Sequence, residues 1–105
     1  MNIESKVEYL FYKEGIQVSC TTRPWYNNPL GVNKDFYGIE VHKKDVGFVS
    51  NLLSRLGVEY NILEGRFLNV KGSWTHKSFN FIELPNHKEA YHTIIEGGGF
   101  HEHLA

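Results

Sequence analysis

Two segments with alternating side chains constrain the fold of this chain most strongly. Residues 16–23, IQVSCTTR, place Ile16, Val18 and Cys20 on one side and polar side chains on the other. Residues 35–42, DFYGIEVH, repeat the alternation with Tyr37, Ile39 and Val41. A period of two residues is typical of a β-strand that has one covered face. Both segments are therefore predicted to be strands of a sheet against which another layer packs.

The covering layer is supplied by segments with helical periodicity. Apolar residues recur on one helical face between Ile3 and Lys13, before a stop at Gly15. The clearest stripe lies in residues 43–57, where Val46, Val49, Leu53 and Leu56 are widened by Leu52 and followed by Gly57. A third helix is predicted after Asn86, which forms a capping box with Glu89, and its apolar side is Ala90, Tyr91, Ile94 and Ile95.

Further strands are predicted between the second and third helices. Residues 58–72 are typical of a hairpin that turns at Glu64-Gly65, and residues 78–85, SFNFIELP, read as another strand. The order of elements is then α-β-β-α-β-β-β-α. This order predicts an α+β fold: a single two-layer domain with a mostly antiparallel sheet of about five strands, covered by two or three helices.

The size and composition of the chain favour one globular domain over residues 1–105. Its 105 residues, of which 41% are hydrophobic, suffice for one core but not for two. Gly97-Gly98-Gly99 ends the last helix, so residues 99–105 are expected to be a flexible or docking tail. A phosphate-binding role for these glycines is disfavoured because they follow a helix instead of preceding one.

Charge and cysteine content narrow the class of partner and the compartment. The formal net charge of -1 provides no general attraction to nucleic acid or to anionic lipid, so neither is expected as a partner. Cys20 is the only cysteine, which excludes a disulfide within the chain and fits a reducing compartment. No apolar run long enough to span a membrane and no signal-peptide pattern is present. We therefore expect a cytoplasmic protein without a cofactor.

The histidines and Cys20 do not make a convincing catalytic or metal site. His101 and His103 could supply only half of a zinc site, whereas His87 and His92 are expected to be exposed polar residues and His42 to cap the following helix. Cys20 alternates with apolar residues and is expected to be an inert part of the core. No catalytic residue and no metal ligand is predicted, and a non-enzyme is favoured.

One motif keeps an enzymatic hypothesis open. His76 and Ser78 match one arm of the pattern of two-histidine phosphoesterases, in which a histidine and a hydroxyl two residues later grip a phosphate. Such an enzyme needs two arms. The only other pair, His92-Thr93, has the wrong spacing and lies on a predicted helix, so the phosphoesterase is an outlier hypothesis.

The segment between the first two strands carries the best binding chemistry. Its prolines and asparagines predict an irregular loop from Pro24 to Lys34. Within six residues it combines a planar cation, two large aromatic rings and an amide, which are Arg23, Trp25, Tyr26 and Asn28. Such residues are enriched at protein interfaces and can also hold a nucleobase and a phosphate. The alternative is that Trp25 folds back onto the edge of the core.

A second polar segment adds to the predicted site. Trp74, His76 and Lys77 lie between predicted strands, so both tryptophans of the chain are expected in loops. If both loops lie at the same end of the sheet, they form one aromatic and basic patch. This spatial coincidence is a hypothesis.

These features favour a non-catalytic binding protein. The first hypothesis is a small regulator or inhibitor that binds a host protein, of the anti-defence type that phages and mobile elements use, acting by occlusion and as a homo-oligomer. The abundance of Asn, Lys, Tyr and Phe over Ala and Arg indicates AT-rich coding DNA, which suits such a source. The alternative is a small-ligand module that binds or sequesters a nucleotide-like molecule through loop aromatics and Arg.

Overall fold

The computed structural model describes residues 2–25, 34–63 and 79–97. Its elements are α1 (Ile3–Tyr12), β1 (Val18–Trp25), β2 (Lys34–His42), a 3-10 turn (Lys43–Asp45), α2 (Val46–Arg55), β3 (Asn61–Leu63), β4 (Phe79–Glu83) and α3 (His87–Glu96). The predicted α+β class is confirmed. The described residues contain four strands, slightly fewer than the five expected. The second strand of the predicted hairpin and the tail at 99–105 lie outside the described residues.

The four strands form one antiparallel sheet in the order β1-β2-β4-β3. β1 and β2 are neighbours in sequence and in space, with Val18 opposite Val41 and Trp25 opposite Lys34. β4 lies between β2 and β3, and Ile82 is opposite Ile39 on one side and Ile62 on the other. Since β4 is antiparallel to both of its neighbours, β2 and β3 run parallel to each other.

The helices pack against one face of this sheet and form the main core. The buried residues come from all three helices and three of the strands, and include Val7, Phe11, Val18, Ile39, Val41, Val49, Leu52, Leu53, Ile82, Ala90, Tyr91 and Ile94. The predicted stripes of α1, α2 and α3 supply these contacts. The helical periodicity therefore identified the correct faces.

A second, smaller cluster lies on the opposite face of the sheet. Phe81 is completely buried and Phe36 is 7% exposed, and Leu63 packs against them. Phe81 is opposite Glu40 and Leu63 is opposite Phe81, so they point away from the helices by strand alternation. The sequence predicted a sheet covered on one face only, and it did not predict this cluster on the opposite face.

The ends of the helices follow the predicted signals with one exception. Gly15 and Gly57 have φ of 77° and 73°, which is the left-handed backbone that favours glycine after a helix. The predicted capping role of His42 is confirmed, because its Nδ1 accepts a hydrogen bond of 3.1 Å from the N–H of Lys44. Asn86 precedes α3 but makes no side-chain capping bond, so the predicted capping box was wrong. Its ψ of 60° departs from the extended backbone that a capping residue usually adopts.

Pro24 and Trp25 belong to β1, which corrects the prediction of an irregular loop beginning at Pro24. The N–H of Cys20 bonds to Glu8 and therefore points away from β2. Pro24 lies four residues further along an unbroken register, so its nitrogen faces the same outer side. A proline at the sheet edge removes no hydrogen bond between strands, and the strand continues through it. Lys34, at the other end of the predicted loop, belongs to β2, and residues 26–33 lie outside the described residues.

Candidate functional site

The paired strands β1 and β2 extend beyond the rest of the described sheet. β4 pairs with β2 from Gly38 to His42, whereas β1 pairs with β2 as far as Lys34. Three pairs at the end of the ribbon, Arg23–Phe36, Pro24–Asp35 and Trp25–Lys34, have no other described strand beside them. We call residues 23–25 and 34–36 the arm. It is about 10 Å long and carries residues 26–33 at its tip.

The predicted site residues divide between the arm and the segments outside the described residues. Arg23 and Trp25 occupy backbone positions in the arm, opposite Phe36 and Lys34. The others, Tyr26, Asn28, Trp74, His76 and Lys77, lie outside the described residues, as does Ser78 of the phosphoesterase motif. Their roles stay predictions.

The described flanks of the two predicted loops lie at opposite ends of the sheet. Trp25 and Lys34 form the end of the arm, whereas Phe79 is opposite His42 at the other end of β2. Leu63, after which the second segment begins, is opposite Phe81 near that same far end. Lys34 and His42 are about 26 Å apart along an extended strand. The hypothesis that Trp25 and Trp74 form one patch therefore stays a prediction, which the positions of these flanks do not favour.

An aromatic stack lies at the base of the arm. The rings of Tyr37 and His87 are parallel within 9°, with centroids 4.2 Å apart, and His87 meets Tyr91 edge-on at 6.1 Å. The side chain of Tyr37 is 41% exposed. His92 is exposed, as expected, but His87 is half-buried in this stack, so the expectation for His87 was wrong. The stack joins β2, where the arm begins, to the first turn of α3.

A buried hydrogen bond connects α3 to β2, close to Cys20 of β1. The hydroxyl of Tyr91 donates to the carbonyl oxygen of Gly38 over 3.2 Å. The Cys20 thiol of β1 lies close to Tyr91, whose hydroxyl acts to lower the pKa of the thiol against the larger effect of burial. Cys20 is half-buried and packs against the core, as predicted.

The pKa values of Cys20 and Tyr91 are both raised, which makes these groups less reactive at neutral pH. Burial, reinforced by the negative charge of Glu8, raises the pKa of Cys20 to about 12. Burial also raises the pKa of Tyr91, with a further contribution from Cys20. A thiol with a raised pKa is a poor nucleophile at neutral pH, because the thiolate is the reactive form.

Surface depressions in the described part of the molecule include two that lie away from the arm. One has a volume of about 250 Å³ and is lined by Tyr9, Tyr12, Ile16 and Val18 together with Glu8 and Gln17. Tyr9 and Tyr12 are 52% and 71% exposed, and lie one turn apart on α1. The other, of about 130 Å³, lies between Gly57–Glu59 and the start of α3 and includes Glu89. Neither was predicted, although the tyrosine spacing was visible in the sequence.

Metal-binding and membrane-spanning features were searched for within residues 2–25, 34–63 and 79–97. In these ranges no three His, Cys, Asp or Glu side chains come together in a way that could hold a metal ion. The helices of the same ranges are too short and too polar to cross a membrane.

Comparison of the chain with protein-family models, with curated proteins and with solved structures found no match. The functional proposal therefore rests on the geometry and chemistry of the described residues and on the sequence between them.

Proposed function

We propose that the protein acts by binding another protein and not by catalysis, as a small regulator or inhibitor of the kind that phages and mobile elements direct against host proteins. The observation that carries this proposal is the arm. It extends past β4 and bears the segment with the richest binding chemistry of the chain. The single cysteine and the small net charge of -1 suit a cytoplasmic site of action.

The structure at the base of the arm favours binding. An isolated two-stranded ribbon is only marginally stable in water. Here Phe36 is held in the second hydrophobic cluster, and Tyr37, the next residue, stacks on His87. A ribbon anchored in this way loses less conformational freedom when a partner binds, which favours affinity.

The residues of the arm and its tip have the chemistry of an interface centre. Arg, Trp and Tyr contribute a large share of the energetically dominant residues in protein interfaces. Arg23, Trp25 and Tyr26 bring one of each within four positions, and Asn28 adds donors and an acceptor. The raised pKa of both Cys20 and Tyr91 further supports a binder, because neither is prepared to act as a nucleophile or base at neutral pH.

Affinity capture with matched variants tests the proposal. Wild-type protein, Trp25→Ala and Tyr12→Ala are immobilised and exposed to an extract of cells that carry the gene, and retained proteins are identified by mass spectrometry. Tyr12 is the control because its aromatic ring is highly exposed on α1. A candidate partner is then purified and titrated calorimetrically. We expect Trp25→Ala to weaken binding by about 30-fold, as at an interface hot spot, and Tyr12→Ala to have little effect.

Two results need to be distinguished, of which the first overturns the proposal and the second calls for another variant. One is a purified partner that binds Trp25→Ala as tightly as wild type. The other is loss of binding that is explained by unfolding, which thermal melting of each variant detects. In the second case Arg23→Ala provides an independent test at the neighbouring position of the arm.

A nucleotide-like ligand is the second candidate, and the half-exposed Tyr37–His87 stack favours it. Aromatic faces of this kind stack on nucleobases, and Arg23 in the adjacent arm could pair with a phosphate. With Trp74→Phe, Trp25 remains as the only tryptophan, and its fluorescence should be quenched by micromolar ATP or GTP. Tyr37→Leu should weaken the response. Unchanged fluorescence at millimolar nucleotide would exclude this candidate, whereas a protein inhibitor is expected to be silent in this assay.

The phosphoesterase hypothesis is kept as an outlier. It requires that turnover of a generic phosphodiester depends on His76. Activity that persists in His76→Ala would exclude this mechanism.

A further inference from the structure

The outer side of β1 is an edge of the described sheet. β1 is the first strand in the order β1-β2-β4-β3, and its inner side pairs with β2. An edge strand normally presents a row of free N–H and C=O groups, at which a strand of another molecule can add. The outward groups of β1 belong to every second residue, which are Val18, Cys20, Thr22 and Pro24.

Glu8 occupies one of these outward donors. Its Oε2 accepts a hydrogen bond of 2.9 Å from the N–H of Cys20, across the contact between α1 and β1. A carboxylate that accepts from a backbone N–H makes a charge-assisted bond, which is stronger than a bond between neutral groups. A strand added to this edge would have to displace it.

Pro24 removes a second outward donor. It has no N–H, and its position places the nitrogen on the same outer side as that of Cys20. Consequently Cys20 and Pro24 alternate with Val18 and Thr22 along the edge, and no two neighbouring outward positions both offer a free donor. Antiparallel pairing requires such donors in succession, about 7 Å apart.

We infer that Glu8 and Pro24 together close the outer edge of β1 to strand addition, so that neither a second copy of this chain nor an extended peptide can continue the sheet there. Partners of β1 are then limited to those that recognise side chains or the tip of the arm. This inference goes beyond the proposed function and does not depend on it, because it concerns the backbone edge and can be tested with the protein alone.

The test compares the mass of variants in solution. The double variant Glu8→Ala/Pro24→Val restores both donors, and its mass is measured by size-exclusion chromatography with light scattering at low and high micromolar concentration. Glu8→Gln is one control, since its amide oxygen can still accept from Cys20. Glu4→Ala is the other, because it removes the same charge from α1 one turn earlier. We expect the double variant to form dimers or larger species, and the controls to match wild type.

Two outcomes contradict the inference. A folded double variant with the mass of wild type at both concentrations would overturn it. Equal association of Glu4→Ala would assign the effect to charge and not to the hydrogen bond. Self-association of the wild type through another surface would raise the mass of every variant equally, so each variant is compared with the wild-type mass at the same concentration.

A second measurement covers the case in which the double variant does not fold. Amide hydrogen exchange by NMR reports directly on the N–H of Cys20 in the wild-type protein. We expect this amide to be strongly protected although it faces the outer side of the sheet. Exchange of the Cys20 amide as fast as that of an exposed amide would show that Glu8 does not hold this N–H in a stable hydrogen bond.

Discussion

Tyr91 in α3 donates its hydroxyl hydrogen to the carbonyl oxygen of Gly38 in β2, across a separation of 53 residues in sequence. The bond is buried and spans the two layers of the domain. Tyr91 also lies close to Cys20 in β1. Tyr91 thus bonds to one strand of the ribbon from which the arm extends and lies close to the other.

Tyr91→Phe should lower the free energy of unfolding by about 1 kcal/mol, because the buried carbonyl of Gly38 loses the hydrogen bond from the hydroxyl while the ring still packs. Tyr12→Phe is the control, since the ring of Tyr12 is 71% exposed. The control should change stability by less than about 0.5 kcal/mol. Urea denaturation followed by circular dichroism measures both. Equal stability of the wild type and Tyr91→Phe would contradict a structural role for this bond.

Two glycines should respond in opposite directions to alanine. A Cβ at Gly38 would overlap the backbone carbonyl oxygen of Ile82, so that β4 would have to move. We expect Gly38→Ala to cost about 2 kcal/mol or more. A Cβ at Gly47 in α2 meets nothing within 4 Å, and Gly47→Ala should stabilise the protein by about 0.5 kcal/mol. Thermal melts compare the two, and a neutral Gly38→Ala would show that the β2–β4 contact adapts easily.

Cys20 should react slowly with thiol reagents in the native protein. Its pKa of about 12 leaves very little thiolate at neutral pH, and its burial restricts access. Reaction with a disulfide reagent at neutral pH should be at least about 100-fold slower in the folded state than in denaturant. Rapid native modification would contradict the placement of the thiol against the core.

Stability should decline at alkaline pH through the same thiol. Folding raises the pKa of Cys20 from 9.0 to about 12, so the folded state retains the proton more strongly than the unfolded state. The associated stability is fully present below pH 9.0 and is lost as the pH rises toward 12. Cys20→Ala lacks this titration, and its free energy of unfolding should fall less steeply over that range. Parallel pH profiles of the two proteins would contradict the assignment.

The stack of Tyr37 on His87 should be detectable as a coupling between the two residues. A double-mutant cycle with Tyr37→Leu and His87→Ala should give an interaction energy of about 0.5–1.5 kcal/mol, as for other aromatic pairs. A matched cycle of Tyr37→Leu with His92→Ala should give none within error, because His92 is exposed on the same helix. Equal coupling in both cycles would mean that the effect is indirect.

Much of the fold could be predicted because periodicity reports burial on one face of an element. The stripes of α1, α2 and α3 and the alternation of Ile39 and Val41 led to the correct core. Other features depend on residues far apart in sequence. The placement of β4 between β2 and β3 and the cluster of Phe36 with Phe81 leave no local signal. The continuation of β1 through Pro24 was not predicted, because a proline ends most strands and the sequence does not show that β1 lies at the edge of the sheet.

The candidate site was predicted less completely than the fold. Composition singled out Arg23 and Trp25, and the structure adds that their strand positions lie in an arm beyond β4. The stack at its base could not be foreseen, because Tyr37 and His87 meet only after β2 and α3 have packed together. Tyr9 and Tyr12 stand at helical spacing in the sequence, but the prediction for α1 used only its apolar stripe and so did not include the depression that they line.

The strand order also matters while the chain is being synthesised. β1 and β2 can pair as soon as His42 has left the ribosome. The other edge of β2 is paired only after β4, Phe79–Glu83, has been synthesised. Until then α2 and β3 are present without the strand that joins β3 to the sheet. In the nascent chain the side of β2 that later pairs with β4 is therefore an open strand edge, unlike the closed outer edge of β1. During that interval the unpaired edge of β2 offers N–H and C=O groups of the kind that favour aggregation.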